Sequence, residues 1–323
     1  MDSFKDSKIN TFENVSQLRG KAKLIEVPKN EEKGFNFGYL LVLPDDVSSK
    51  TSLIVEGPNY NKTTYDIKSS KEEIIKSVKV FGNLIYMWNE DTNFPILIPI
   101  FPKVTSNIKT LYTHMLTSPT LNHIDNRFKR IDRQLIHMID DARDRLKKIN
   151  IDVDEKIIID GFSASAKFAN RFTILHPNRV KLCIAGGVSG CLTLPIKKIN
   201  GETLIFPVGV GNLDEVDDQK INEFLNVKQF YYMGLKDNND PFAAKSNDCI
   251  EPAYSSTIEP DELKQLYKFL GHDMTGDRWE NTQKIYNDLG VNAIFESYED
   301  EGHRPHMATE RVKELLKEQD IHN

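Results

Sequence analysis

The 323-residue chain is 39% hydrophobic and 28% charged, the balance of a soluble globular protein with one large α/β domain or two smaller ones. Its formal net charge is −6, with Lys and Arg scattered along the chain; this excludes nucleic acid as a main partner and a polybasic membrane anchor, and no apolar run of about 18 residues offers a membrane span. Cys183, Cys191 and Cys249 have no metal-ligand spacing and Met1 to Gly20 has no apolar core of signal-peptide length, so a reducing cytoplasm is the expected location.

Residues 1–20 are polar and aperiodic and read as a flexible N-terminal arm. Lys21–Val27 and Phe35–Leu43 follow as strands, the second ending at Pro44-Asp45-Asp46. Thr51–Glu56 reads as a buried strand closed by Gly57-Pro58-Asn59. Ser70 and Glu73 have capping-box spacing ahead of Ile74 and Ile75, and predict a helix start. Phe94–Phe101 is another apolar strand. The clearest helix spans Arg130 to Lys148, where Ile131, Leu135, Met138, Ile139, Ala142 and Leu146 recur at steps of three and four.

Lys156–Asp160 is a short β-branched strand, followed at once by Gly161-Phe162-Ser163-Ala164-Ser165 and a helix that Pro177 stops. Val180–Ala185, Gln229–Leu235 and Val291–Tyr298 complete eight strands; helices are expected over 260–271, 277–289 and 309–317. Strands alternating with helices of this length indicate a largely parallel sheet with helices on both faces. Residues 201–226, with Pro207 and the acidic stretch Asp214–Asp218, read as irregular. The wider segment 191–228 reads as a small cap insertion, whose Leu192, Leu194, Ile205, Phe206, Val208 and Val210 would line an acyl pocket or form a small core of their own.

Ser163 stands between a strand end and a helix start. A serine on so sharp a turn is strained, with its hydroxyl lifted above the sheet edge. Gly161 two residues before and Ser165 two after match the nucleophile pattern G-x-S-x-G except at its last position, where Ser replaces Gly. The competing reading is that Ser163 is only an N-cap. The N–H of Ala164 lies at a helix N-terminus, where it can hold an oxyanion. A second donor is expected from the loop after Glu56; Pro58 has no N–H, which leaves Asn59 or Tyr60.

A serine hydroxyl needs a base, and the base needs a third group to fix its tautomer. Five of the eight histidines follow Ser163: His176, His272, His303, His306 and His322. Only His303 and His306 directly follow the last strand, and Gly302 gives the turn that aims His303 back. A metal at His303 and His306 lacks an obvious third ligand. For the acid, Asp237 comes first after Gly234-Leu235-Lys236, and Asp240 three residues later remains the alternative. Glu299, Asp300 and Glu301 read as a charged loop.

These residues make the chain resemble the α/β-hydrolase superfamily, and within it bacterial esterases of the esterase D and polyhydroxybutyrate-depolymerase-like group. The resemblance covers roughly residues 35 to 318 and rests on GFSAS at 161–165, FANRF at 168–172, HP at 176–177, GLKDNNDP at 234–241 and YEDEGH at 298–303. It implies one α/β-hydrolase domain over 21–323, with a mostly parallel eight-stranded sheet and the cap insertion at 191–228. It also implies a serine hydrolase acting on a small-molecule ester through an acyl-enzyme, with Ser163, Asp237 and His303 as its triad and no metal or organic cofactor. Two departures stand against it: Ser165 in place of Gly, and Val55-Glu56-Gly57-Pro58 in place of a His-Gly-Gly oxyanion loop. They support a competing expectation, a non-catalytic ligand-binding or interaction module on the same fold; an acyltransferase or peptidase is a third. The sequence leaves the oligomeric state open.

Overall fold

The computed structural model describes residues 2–12, 22–57, 59, 68–69, 71–73, 92–102, 104–105, 110–111, 113–246, 249–252 and 258–320. Its frame is a sheet of nine strands: β1 (Lys8–Phe12), β2 (Ala22–Val27), β3 (Tyr39–Pro44), β4 (Ile54–Glu56), β5 (Ile96–Pro99), β6 (Ile157–Phe162), β7 (Val180–Gly186), β8 (Lys228–Gly234) and β9 (Ala293–Tyr298). Their spatial order is β1-β2-β3-β5-β4-β6-β7-β8-β9. The first three strands and the β3–β5 pair are antiparallel; every pair from β5 to β9 is parallel.

Among the described residues, six helices of nine residues or more accompany the sheet: α1 (Ile131–Lys147), α2 (Ala164–Leu175), α3 (Asp218–Asn226), α4 (Pro260–Leu270), α5 (Asp277–Asp288) and α6 (Thr309–Lys317). Because side chains alternate along a strand, β6 sends Ile157 and Ile159 to one face and Ile158 to the other. On the first face they share a core with residues of α1, α2, α4 and α5; on the second, Val312, Leu315 and Leu316 of α6 share a core with Ile158, Leu182 and Phe230. The stripe expected of α1 is buried in full. Among the described residues, no helix is long and apolar enough to cross a membrane.

The sheet has one strand more than the eight expected. The added strand is β1, within the segment read as an arm, and it pairs from Lys8 opposite Glu26 to Phe12 opposite Ala22. Arg145 of α1 anchors this end, donating to the Ser3 carbonyl at 2.9 Å and pairing with Asp6 at 2.6 Å. Phe4 is buried beside them. These partners lie far apart in sequence, so no local pattern announces the strand.

The irregular reading of 201–226 needs correction over its last third. Asp217 caps α3, its carboxylate accepting from the N–H of Lys220 at 2.9 Å, and Phe224 is buried. Within 191–228, Leu192, Leu194, Phe206, Val208 and Val210 are buried in the same cluster as α2 and the sheet, while Ile205 is half-buried.

Candidate active site

β6 delivers its last residue, Phe162, to the parallel edge of the sheet, and the chain then reverses into α2. Ser163 makes the reversal at φ 62° and ψ −119°, a conformation that costs a non-glycine residue about 1–3 kcal/mol. Its N–H donates to the Gly186 carbonyl of β7 at 2.8 Å. The N-cap reading fails, because the Ser163 side chain makes no capping hydrogen bond.

The turn is tight enough to dictate its neighbours. A Cβ on Gly161 would lie 2.3 Å from the Ser165 carbonyl oxygen. Ser165 fills the position where the motif has glycine, and its hydroxyl both accepts from the Phe162 N–H and donates to the Phe162 carbonyl, each at 3.0 Å. The extra side chain is accommodated by Gly57, where an added Cβ would stand 2.7 Å from that of Ser165. Of the expected oxyanion donors, Ala164 opens α2 and is half-buried. Asn59 is exposed, and its side-chain amide donates to the Phe162 carbonyl at 3.1 Å, tying its loop to the turn. Tyr60 lies outside the described residues.

The loops after β8 and β9 are interlocked. Lys236 donates its N–H to the Glu301 carbonyl at 2.9 Å, and a Cβ on Gly234 would fall 2.3 Å from that oxygen. The interlock brings Asp237 and His303 together: Nδ1 of His303 lies 2.6 Å from Oδ2 of Asp237. Oδ1 of Asp237 accepts from the Asn239 N–H at 2.8 Å, and its side chain is only 1% exposed. A carboxylate on Nδ1 fixes the proton there and turns the Nε2 lone pair outward as a base. Asp240 is held elsewhere, 2.9 Å from Nη1 of the fully buried Arg278. Lys236 pairs with the exposed Asp300 at 2.7 Å, and His306 is exposed.

The imidazole of His303 rests on the ring of Phe162, with centroids 4.7 Å apart at 50°. Gly187, at φ 62°, closes the other side: a Cβ there would sit 2.8 Å from Phe162 Cζ and 3.0 Å from His303 Cε1. The imidazole is thereby seated on the residue immediately before Ser163. Neither the Ser163 hydroxyl nor Nε2 of His303 makes a hydrogen bond among the described residues.

Three solved structures share this architecture over nearly their whole length. A poly(aspartic acid) hydrolase from Sphingomonas sp. KT-1 is 15% identical and superposes with a TM-score of 0.53 over 96% of this chain and 98% of its own. An S-formylglutathione hydrolase from Agrobacterium tumefaciens is 8% identical, with a TM-score of 0.52 over 97% and 98%. A poly(3-hydroxybutyrate) depolymerase from Bordetella parapertussis is 13% identical, with a TM-score of 0.53 over 93% and 91%. The chain has the α/β-hydrolase fold. No protein-family model and no curated protein sequence matches it.

Two features of this α/β-hydrolase chain carry no sequence signal. The first is Phe162, whose place under His303 depends on a contact 141 residues away along the chain, from position 162 to 303. The second is a pair of buried cations on α2, where lysine and arginine ordinarily read as a solvated face. Lys167 is 3% exposed, and burial pushes its ammonium down to about 8. Arg171 is 5% exposed and burial lowers it to about 10; it donates to the Met115 carbonyl at 2.8 Å.

Proposed function

We propose that the chain is a serine hydrolase that cleaves a carboxylic ester, or a closely related acyl compound, through an acyl-enzyme. The observation that carries this reading is the 2.6 Å Asp237–His303 pair seated on Phe162, immediately before the strained Ser163. The three similar structures support acyl hydrolysis by their names, which are those of hydrolases of poly(aspartic acid), S-formylglutathione and poly(3-hydroxybutyrate).

In the first half-reaction the Ser163 hydroxyl adds to the acyl carbonyl while Nε2 of His303 takes its proton, and Asp237 stabilises the resulting imidazolium. The N–H of Ala164 receives the oxyanion, joined by a donor from the loop that carries Asn59 and Tyr60. The C–O bond to the alcohol then breaks, and His303 returns the proton to the departing oxygen. In the second half-reaction water attacks the acyl-serine, with His303 again the base, and the acid leaves. Every step uses side chains and backbone of this chain.

The test is labelling of the purified protein with a fluorophosphonate, followed by peptide mass mapping, with Ser163→Ala treated in parallel. The expected result is an adduct on Ser163 that the variant lacks, and a fall in ester hydrolysis of about four to six powers of ten in that variant. A folded protein that takes no label, or a variant that hydrolyses esters at the original rate, would overturn the assignment.

A further inference from the structure

Lys167 is the fourth residue after Ser163, one helical turn further along α2. Helical side chains as a class lean toward the helix N-terminus, which for α2 is the end that carries Ser163. Among the described residues its ammonium has no carboxylate partner. Nζ lies 3.8 Å from the centre of the Phe242 ring and 3.9 Å from Cys191 Sγ.

A buried cation without a counter-ion is costly, and native structures rarely keep one. Nearby charges make this one more conspicuous. Arg171, one turn further on, donates among the described residues to the Met115 and Leu116 carbonyls and lies 5.8 Å from the centre of the Phe206 ring. Asp240 is paired with Arg278, and Glu262 accepts from Ser118 and from the Glu259 N–H. Among the described residues, Asp240 and Glu262 are thus engaged while Lys167 and Arg171 have no carboxylate partner.

The same Lys167 lines a cavity of about 10 Å³, walled by Arg171, Cys191, Leu192, Val208 and Phe242. That is room for one water-sized group. The strand-to-loop segment that leads to Cys191 begins at Gly187, the residue packed against His303. Lys167 thus sets a buried positive charge on α2 one helical turn along the chain from Ser163.

We propose that this pocket receives a carboxylate carried by the ester substrate, and that the enzyme prefers anionic esters to neutral ones of the same size. This deepens the serine-hydrolase reading and rests on it. Lys167 supplies a charge-assisted hydrogen bond to one carboxylate oxygen, which enters the cavity while the other oxygen stays at its mouth.

The test compares kcat/KM within two substrate pairs, for the wild type and Lys167→Met. Phenyl hemiglutarate against phenyl butyrate places the charge on the acyl side; 4-acetoxybenzoate against phenyl acetate places it on the leaving group. The expected result is a preference for the charged member of one pair by roughly ten-fold or more, the scale of a charge-assisted hydrogen bond. Lys167→Met lowers that preference by a similar factor, and the responsive pair identifies the side that carries the charge. Wild-type rates within about two-fold in both pairs, or a preference that survives in the variant, would overturn the proposal and leave the serine mechanism standing. Should no ester be cleaved, the serine reading fails, and the pocket is tested separately by thermal unfolding with glutarate or butyrate. A glutarate-specific rise in Tm in the wild type, lost in Lys167→Met, supports the anion site; no such rise overturns it.

Discussion

α1 and α2 pack on the same face of the sheet but handle buried charge in opposite ways. On α1 each buried ion has partners: Asp141 accepts from the Tyr39 hydroxyl and Arg145 Nε, each at 2.7 Å, and pairs with Lys33. Arg145 reaches on to Asp6 at 2.6 Å, and Asp132 holds both Arg130, at 2.6 Å, and His176, at 2.8 Å. On α2, buried from Ser165 to Leu175, Lys167 has a thiol and an aromatic ring, and Arg171 has carbonyl oxygens. Charges that close on one another hold elements in place; buried charges without a counter-ion can be met by a ligand that carries one.

Breaking the closed network should give the largest effect on stability. Asp141→Ala leaves Arg145 and Lys33 without their shared carboxylate, a loss of about 3–5 kcal/mol for a broken buried pair. Denaturant unfolding would show it, while the rate per folded molecule stays near that of the parent, since Asp141 touches nothing at the elbow. A variant with parental stability would mean that the two helices do not differ as described.

Removing the unmatched charge should act in the opposite direction. The Lys167 ammonium falls from an ordinary value of 10.5 to about 8 on folding because of burial, with Arg171 and Arg278 also pushing it down and Cys191 and Asp240 opposing them. A folded value below the unfolded one means that stability is lost as pH falls through 8 and is fully present only above 10.5. Lys167→Met should therefore unfold at higher denaturant than the wild type at pH 7, by about 3 kcal/mol at most. The advantage should shrink steadily between pH 8 and 10.5. An equal gap at all pH values would show that the gain comes from packing and not from charge.

The smallest change is expected at the start of α2. Ser165→Ala removes both contacts to Phe162 and leaves a buried N–H unsatisfied, at about 1–3 kcal/mol. Because the elbow is held elsewhere by Gly161 and by the Ser163–Gly186 bond, the ester rate should change by less than about ten-fold. A much larger loss of rate at full stability would make Ser165 part of the chemistry.

The parallel sheet and its helices were legible because β-branched runs and the α1 stripe report burial locally. β1 was not, since its Ile9 is 45% exposed and its support comes from Arg145. α3 was legible in principle: Asp217 stands before Ile221, Phe224 and Leu225 at helical spacing, a signal masked by the surrounding acids. The candidate site divides along the same line. Ser163 and His303 are placed by the turns beside them, whereas Asp237 and Asp240 sit three residues apart on one loop. What distinguishes those two is Arg278, 38 residues beyond Asp240. Lys167 was overlooked because helical lysines usually face water, and only the packing of Phe242 and Cys191 removes it from solvent.

The contact between Gly57 and Ser165 constrains how this sequence can change over generations. A serine at 165 is tolerated only where 57 has no side chain, since a Cβ there would stand 2.7 Å from that of Ser165. With serine at 165, loss of its side chain must precede any enlargement at 57. The side chain that the motif's last position carries here is thus matched by the bare Gly57 at another strand end, and the two positions form one steric unit.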